Sequence, residues 1–390
     1  MKLFKKLGLT FGGLVLASLA ACGGGGSGSP VAETGTLRVA LTDAPACGYD
    51  SVNITVEKVR VHQSSTANDS DAGWSDVVLS PARRINLLNL TNGVLDELGQ
   101  VPLPTGKYTQ LRMILADNTN ANPLANSVKP TGSAEVALKT PSGQQSGVKA
   151  NINIDIAANK LADFVIDFNA CKSVVLAGNS GQYLLKPVVT VVPRYISAVA
   201  GFVDATLINP NTSVSLQQNG AVIKATTPDS TGKFLLQPVA PGTYTLVLAA
   251  SGRTTAVITN VVVTTDTVTS VNASGTALNP PVSATGTVNG TAPVNTLVRA
   301  LQTLSAGGTV IEVAGRYVDG ASGAYAYTLP VSAPLVAAYT ALPGTLVFAA
   351  DSSAAGKYTL RAGLDGFTDK SVALATLGAG ATITTNFTFP

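Results

Sequence analysis

The feature that most constrains this chain is a two-residue hydrophobic period that recurs from about residue 35 onward. Asn151-Ile152-Asn153-Ile154-Asp155-Ile156 alternates isoleucine with amides or a carboxylate. Successive side chains of an extended strand point to opposite faces, so this spacing makes one face dry and the other wet. Leu37-Arg38-Val39-Ala40-Leu41, Val52-Asn53-Ile54-Thr55-Val56 and Val59-Arg60-Val61 carry the same pattern. Gly, Pro and Asn interrupt such runs at short intervals, as turns between antiparallel strands require. The expectation is an all-β chain: three tandem antiparallel β-sandwich domains after a signal peptide and a flexible tether. Asn86 to Gly99 alone suggests a helix, with Leu87, Leu88, Leu90, Val94, Leu95 and Leu98 along it, and Gly93 weakens that reading.

The 390 residues suffice for two or three domains. Charged residues make up only 12%, about half the usual share, and hydroxyls and amides keep the surface wet. The formal charge of +3 comes from Lys2, Lys5 and Lys6, which leaves 22 basic and 22 acidic residues after position 21. A neutral mature chain is a poor partner for nucleic acid, whose binding is dominated by phosphate neutralisation. It also lacks a polybasic patch for anionic lipid.

The three lysines precede an apolar stretch, Leu7 to Leu16, and then Leu19-Ala20-Ala21-Cys22. Charge, then apolar run, then small residues is the order of a secretory signal. A membrane span needs roughly 20 apolar residues, more than this run supplies. The Leu-Ala-Ala-Cys tetrad resembles a bacterial lipobox. The resemblance implies that residues 1–21 are a lipoprotein signal peptide, removed when Cys22 is acylated. Residues 22–34 then form the lipidated cysteine and a Gly/Ser tether. This places the protein in the cell envelope, with the membrane as a partner through the lipid on Cys22. In a diderm cell, Gly23 after the cysteine favours the outer membrane, facing the periplasm or the surface. With Cys22 assigned, Cys47 and Cys171 remain as an even pair in an oxidising compartment. A disulfide between them is expected, worth about 4–5 kcal/mol in the chain-entropy model; two buried free thiols are the alternative.

Landmarks repeat in the second half. Asp229-Ser-Thr-Gly232-Lys-Phe234 is answered by Asp319-Gly-Ala-Ser-Gly323-Ala-Tyr325, and Gly242-Thr-Tyr244-Thr-Leu246 by Gly356-Lys-Tyr358-Thr-Leu360. Leu329 to Thr345, with three prolines, reads as an extra loop in the second copy. Two copies suggest two stacked modules rather than a solenoid.

Several ordered motifs between residues 35 and 195 carry a resemblance to domain of unknown function 4382. They are Leu41-Thr42-Asp43-Ala44-Pro45, Ile85-Asn86-Leu87-Leu88, Leu103-Pro104-Thr105-Gly106-Lys107-Tyr108, Lys172-Ser173-Val174-Val175 and Tyr183-Leu184-Leu185-Lys186-Pro187. The resemblance implies an exported all-β domain over 35–197 and no particular activity. Residues 198–278 resemble the carboxypeptidase regulatory-like domain, a small prealbumin-type sandwich, through the Asp229/Gly232/Phe234 turn and Pro241-Gly242-Thr243-Tyr244. Residues 284–390 resemble it more distantly. That fold is shared with starch-binding domains, which is weak evidence for a ligand.

No enzyme is legible. The single histidine, His62, sits on an alternating strand, and no nucleophile elbow or phosphate loop is present. Among the acidic residues of the first domain (Asp43, Asp50, Asp117, Asp155, Asp163 and Asp167), Asp43 and Asp50 flank a loop and are candidate calcium ligands. Asp43 before Ala44-Pro45 equally suits a turn cap. Trp74 is the candidate ligand-binding residue: it stacks on a glycan or plugs the sandwich edge. Tyr108, Tyr244 and Tyr358 each follow a glycine turn, which favours a packed ring with its hydroxyl bonded near the strand end. The chain thus reads as a non-enzymatic, membrane-anchored envelope lipoprotein presenting modules for binding or spacing. The alternative is a carbohydrate-binding or adhesin-like surface protein, with a glycan or an envelope protein as partner.

Overall fold

The computed structural model describes residues 33–43, 48–141, 146–209 and 211–390. Cys22, the signal segment and Cys47 lie outside the described residues. The regular structure of the described residues is nearly all β, as the period requires.

The first module contains β1 (Thr34–Asp43), β2 (Tyr49–His62), β3 (Ser75–Asn86), β4 (Asp96–Pro104), β5 (Gly106–Leu115), β6 (Ser127–Pro130), β7 (Val136–Lys139), β8 (Val148–Ile156), β9 (Leu161–Phe168), β10 (Val174–Ala177), β11 (Gln182–Leu185) and β12 (Val189–Pro193). A four-stranded sheet runs β12-β9-β1-β4, and an eight-stranded one runs β10-β11-β7-β6-β2-β5-β8 with β3 on β2. The alternation in β8 is realised residue by residue. Val148, Ala150, Ile152, Ile154 and Ile156 are buried, while Lys149, Asn151, Asn153 and Asp155 face water. One core joins the sheets, built on Leu37, Val39 and Leu41 of β1, Ile54 and Val56 of β2, and Phe168 of β9. Not every pair is antiparallel: β9 lies parallel to β1, with Asp43 opposite Phe168.

The helix expected from Asn86 to Gly99 is not formed. Leu87–Leu90 makes one 3-10 turn, capped by the Asn86 side chain accepting from Leu88 N. Asn92 and Gly93 then take left-handed φ of 57° and 74°, which a helix cannot continue through. The apolar spacing serves two elements instead: Leu87 and Leu90 close the turn over the core, and Leu98 is buried from β4.

The second module has β13 (Ala198–Phe202), β14 (Ser213–Gln218), β15 (Ala221–Thr226), β16 (Lys233–Leu236), β17 (Gly242–Ala249), β18 (Ala256–Val263) and β19 (Val268–Ser270). The third has β20 (Thr285–Thr291), β21 (Leu297–Thr303), β22 (Val310–Tyr317), β23 (Ala324–Pro330), β24 (Leu335–Ala338), β25 (Ala349–Ala350), β26 (Thr359–Gly363), β27 (Lys370–Ala373) and β28 (Thr382–Thr384). Their topologies coincide. Sheet β16-β13-β19 corresponds to β23-β20-β28, and β15-β14-β17-β18 corresponds to β22-β21-β26-β27. The match extends to side chains. Gly201 stands opposite Phe234 and Gly290 opposite Tyr325, and a Cβ at either glycine would collide with the aromatic across from it. Asn272 Oδ1 accepts from Phe202 N at 2.7 Å, as Asn386 Oδ1 does from Thr291 N at 2.9 Å.

The Asp turns repeat as well. Asp229 Oδ1 accepts from Thr231 N and Lys233 N, and Asp319 Oδ1 accepts from Ala321 N and Ser322 N. Burial raises both carboxyls, but these hydrogen bonds outweigh it and hold them below the usual carboxylate range. The three tyrosines behave alike: Tyr108, Tyr244 and Tyr358 donate their hydroxyls to Pro104 O, Ala240 O and Pro330 O at 3.2, 2.8 and 2.6 Å.

The segment from Leu329 to Thr345, expected as an extra loop, is a correction in kind. Its β24 adds to the second module, parallel to β18, with Ala256 opposite Leu335. Leu335 N and Tyr339 N donate to Thr255 O and Thr259 O at 2.9 Å, at the two ends of this pairing. Tyr339, Leu346 and Phe348 pack on the second core. Extended backbone with alternate apolar side chains is what an exposed sheet edge recruits, so this insert completes its neighbour's sheet.

Candidate functional site

The open face of the eight-stranded sheet carries the chain's one tryptophan. Pairing of β2 with β5 sets Arg60 opposite Arg112, two like charges in adjacent positions. Asp76 of β3 answers the first, accepting from Lys58 Nζ at 2.9 Å and Arg60 Nε at 3.0 Å. Burial raises the Asp76 carboxyl, but these two donors win and hold it below the usual range. Arg112 is only 6% exposed and makes no ion pair among the described residues. Its guanidinium donates to Gln110 Oε1, Ala67 O and Ser146 O at 2.7, 2.7 and 2.9 Å. The half-buried Trp74 ring spans both arginines, 4.8 Å from the Arg60 guanidinium and 5.0 Å from that of Arg112. Its π face supplies the negative potential that a counter-ion otherwise would. Trp74 Nε1 donates to Asn68 O at 2.8 Å, and the His62 ring lies 5.1 Å away. His62 Nδ1 accepts from Ser64 N at 2.8 Å, so Nε2 carries the proton and donates to Ala72 O at 2.9 Å. Both ring nitrogens are thus used by loop backbone, and neither is left to activate a nucleophile. Trp74 and His62 together fasten residues 63–74 to the sheet.

The two candidate calcium ligands each have partners within the chain. Asp43 is buried, and its Oδ1 accepts from Ala170 N at 2.9 Å, at the start of the one-turn helix Ala170–Ser173. Asp50 is exposed and pairs with Lys129 at 3.1 Å; hydrogen bonds from Lys129 and Thr131 hold its carboxyl below the usual range. Of the other acids, Asp163 pairs with Arg38 and Asp167 with Lys224. Among the described residues no group of three or more His, Cys, Asp or Glu side chains is placed to hold a metal ion. Cys171 follows Ala170 in the one-turn helix and is not free.

The most elaborate polar assembly is one that sequence reasoning missed: a node where all three modules meet. Glu312 of β22 is 6% exposed. Its Oε1 accepts from Lys172 Nζ of the first module at 2.6 Å, and Arg299 stands 4.0 Å from its Oε2. Gln217 of the second module docks on the Glu312 backbone as a strand would. Its Nε2 donates to Glu312 O at 2.8 Å, and its Oε1 accepts from Glu312 N at 2.7 Å. Further contacts flank the node. Lys224 Nζ meets Asp167 Oδ1 at 2.8 Å, joining second and first modules with both side chains largely buried. Asn92 Oδ1 accepts from Leu235 N, and Gly320 N donates to Leu176 O, both at 3.0 Å. Val247, Val257, Leu304 and Ile311 make a small apolar cluster between second and third modules. Each module therefore touches the other two.

Three assemblies thus emerge: Trp74 over Arg60 and Arg112, Asp43 on Ala170 N, and an intermodule node. All three hold chain to chain. No helix among the described residues is long and apolar enough to cross a membrane.

Comparison with known proteins yields little beyond the first module. No curated protein matches the chain. A type II cohesin–X-dockerin complex of Acetivibrio cellulolyticus shares 24% identity over 23% of this chain, at a TM-score of 0.19. The chain spans 59% of that protein's length. A pilus adhesin, SpaC, of Lactobacillus rhamnosus GG shares 11% identity over 91% of this chain and 43% of its own, at a TM-score of 0.14. A calcium-stabilised adhesin with which an Antarctic bacterium binds ice shares 10% over 90% and 74%, at 0.12. None of these overlaps amounts to a shared fold. The family finding is firmer: residues 34–187, which hold the whole first core, match the family described as Domain of unknown function (DUF4382).

Proposed function

We propose that the chain is a non-enzymatic lipoprotein of the cell envelope, anchored through Cys22, that holds a three-module body at the end of a glycine tether. The node at Glu312 carries this reading. Side chains that would otherwise be wet are used to fix module on module, which suits a rigid body that presents a surface. The lipobox-like tetrad and the eight residues from Gly23 to Pro30 support the anchor and the reach. The Asp229 and Asp319 turns and the duplicated topology support two prealbumin-type modules of the carboxypeptidase regulatory-like kind, over 198–278 and 284–390. The deciding experiment is Cys22→Ala in the intact chain. Unprocessed protein is expected to accumulate and the mature form to leave the membrane fraction. A variant that is still cleaved and still sediments with membranes refutes the anchor.

The same reading includes a Cys47–Cys171 disulfide. Its support is topological. Asp43 and Phe168 end parallel neighbouring strands, and Asp43 Oδ1 accepts from Ala170 N, so β1 ends beside the one-turn helix that carries Cys171, four residues before Cys47 in the sequence. Mass analysis of the unreduced, denatured protein is expected to find neither thiol alkylatable; two alkylated thiols refute it. We assign Trp74 to the scaffold rather than to a glycan site, because its Nε1 and one ring face are already used. A glycan array read with the native chain and with Trp74→Ala separates the two: a hit lost on substitution would restore the glycan reading.

A further inference from the structure

Two arginines stand side by side on the outer face of the third module. Pairing of β21 with β26 sets Arg299 opposite Arg361. Their strand neighbours Val298, Ala300, Leu360 and Ala362 belong to the third core, so both arginines lie on the other face of the sheet. The row across β22, β21, β26 and β27 reads Gly315, Arg299, Arg361, Ser371. Like charges directly opposite each other on adjacent strands destabilise a sheet. The first module meets the same problem at Arg60 and Arg112 and answers it within the chain, with the Asp76 carboxylate and the Trp74 ring. The third module supplies much less.

Among the described residues neither guanidinium makes a hydrogen bond. Arg299 has Asp369 at 3.6 Å and Glu312 at 4.0 Å, both beyond hydrogen-bond reach. Glu312 is already held by Lys172 at 2.6 Å. Arg361 has neither an ion pair nor a ring beside it among the described residues. Lys172, Arg299 and Arg361 thus set three positive charges against the two carboxylates of Glu312 and Asp369. Of the nearby charges, Lys370 lies 5.4 Å from the Phe389 ring, and Asp365 is exposed and makes no ion pair among the described residues. Glycines flank the pair. A Cβ at Gly315 would stand 3.2 Å from Arg299 Cγ, and one at Gly363 would stand 2.9 Å from Asp369 Oδ1. Side chains at these two positions would crowd the arginine and the carboxylate, so the surface stays open there.

We propose that Arg299 and Arg361 together bind an oxyanion group (a carboxylate, sulfate or phosphate) carried by a molecule outside the chain. A guanidinium offers its N–H groups as a planar fork that matches two oxygens of such a group. Two forks on adjacent strands take the group from two sides. The bound anion offsets the surplus charge and supplies the acceptors that the chain lacks. The site adds a ligand to the three-module body and does not depend on the anchor at Cys22. The test is isothermal titration calorimetry on the full chain in non-ionic detergent at low ionic strength. Sodium sulfate, sodium phosphate and sodium glucuronate are titrated in turn. Saturable binding of at least one is expected, and the tightest of the three names the source chemistry. Arg361→Gln is expected to weaken it about tenfold or more. Lys160→Gln makes the same change in net charge on the first module, at an exposed residue, and is expected to leave binding unchanged. In anion-free buffer Arg361→Gln relieves the like-charge contact, so its urea midpoint is expected to match or exceed that of the native chain. Absence of saturable binding by all three anions overturns the proposal. So does binding indifferent to Arg361→Gln, or weakened as much by Lys160→Gln, as a diffuse ion atmosphere would be. A lower urea midpoint for Arg361→Gln overturns it too, because the chain would then already satisfy that guanidinium.

Discussion

Glu312→Ala removes the carboxylate on which the node turns. Lys172 is left with its ammonium mostly out of water and no acid in reach, while Arg299 keeps Asp369 at 3.6 Å. Removing one member of a buried ion pair costs about 3–5 kcal/mol when the survivor cannot reach water. The Lys172 side chain is 14% exposed, so part of that cost is recovered by reaching solvent, and about 2–4 kcal/mol is expected. Lys172→Ala is expected to cost less, about 1–2 kcal/mol, because Glu312 retains Arg299 at 4.0 Å. The pair should therefore couple by at least about 1 kcal/mol in a double-mutant cycle. The chain is well suited to the measurement. Its one tryptophan lies in the first module, so fluorescence in urea follows that module alone, while far-ultraviolet circular dichroism follows all three. Modules bound by the node unfold together, and the two curves coincide. In Glu312→Ala they are expected to separate. Coincident curves, or a midpoint shift worth less than about 0.5 kcal/mol, would refute the idea that Glu312 ties the first module to the third.

Three further outcomes are expected. Ala337→Pro, in the middle of the strand that the third repeat lends to the second, should cost about 1–3 kcal/mol; the check is faster amide exchange at residues 256–259 and earlier proteolysis near residue 340. Tyr244→Phe and Tyr358→Phe each lose one hydroxyl-to-carbonyl bond and should lower stability by about 1 kcal/mol in urea. Burial pushes Tyr49 and Tyr325 up to about 12. Because the fold favours their neutral form, their contribution is intact below pH 10 and declines as pH rises through 12, so thermal unfolding should fall over that window with tyrosinate absorbance rising late.

The strand period revealed the elements, yet not what covers them. In Leu246-Val247-Leu248 the alternation fails because Val247 is buried too, under Leu304 and Ile311 of the third module. A continuous apolar triplet inside an alternating strand marks burial on both faces, and that signal was present to be used. The polar half of the same interface gave no such signal. Ser215 and Gln217 occupy wet-face positions of β14 by every local rule, yet both are buried: Gln217 bonds to the Glu312 backbone, and its amide also donates to Ser215 Oγ. No spacing distinguishes a glutamine facing water from one facing another module's backbone. Asn86 to Gly99 misled for the opposite reason. Its leucines recur at helical intervals, but Asn92-Gly93 adopts left-handed φ and divides them between a turn and a strand. The tyrosines and aspartate turns were legible because their bonds are local, spanning four residues or fewer, except where an insert parts Pro330 from Tyr358.

That exception explains why the insert is where it is. In the second module Ala240 and Tyr244 are four residues apart and bonded; in the third, Pro330 O and Tyr358 keep the bond across 28 residues. Opening a chain at a point whose two ends are already held together costs only loop closure, and that cost grows slowly with length. The inserted strand then recovers it by pairing with β18, whose edge would otherwise be open. The equivalent strand of the third module, β27, receives no such partner among the described residues; it is only four residues long, mostly exposed and led by Lys370. A short charged edge resists pairing, whereas β18 is eight residues long and apolar. The two copies have thus protected the same edge in two ways. Transferring the β18 solution to the third module, by lengthening β27 with apolar residues, is expected to produce aggregation that light scattering would detect, while the native chain stays clear.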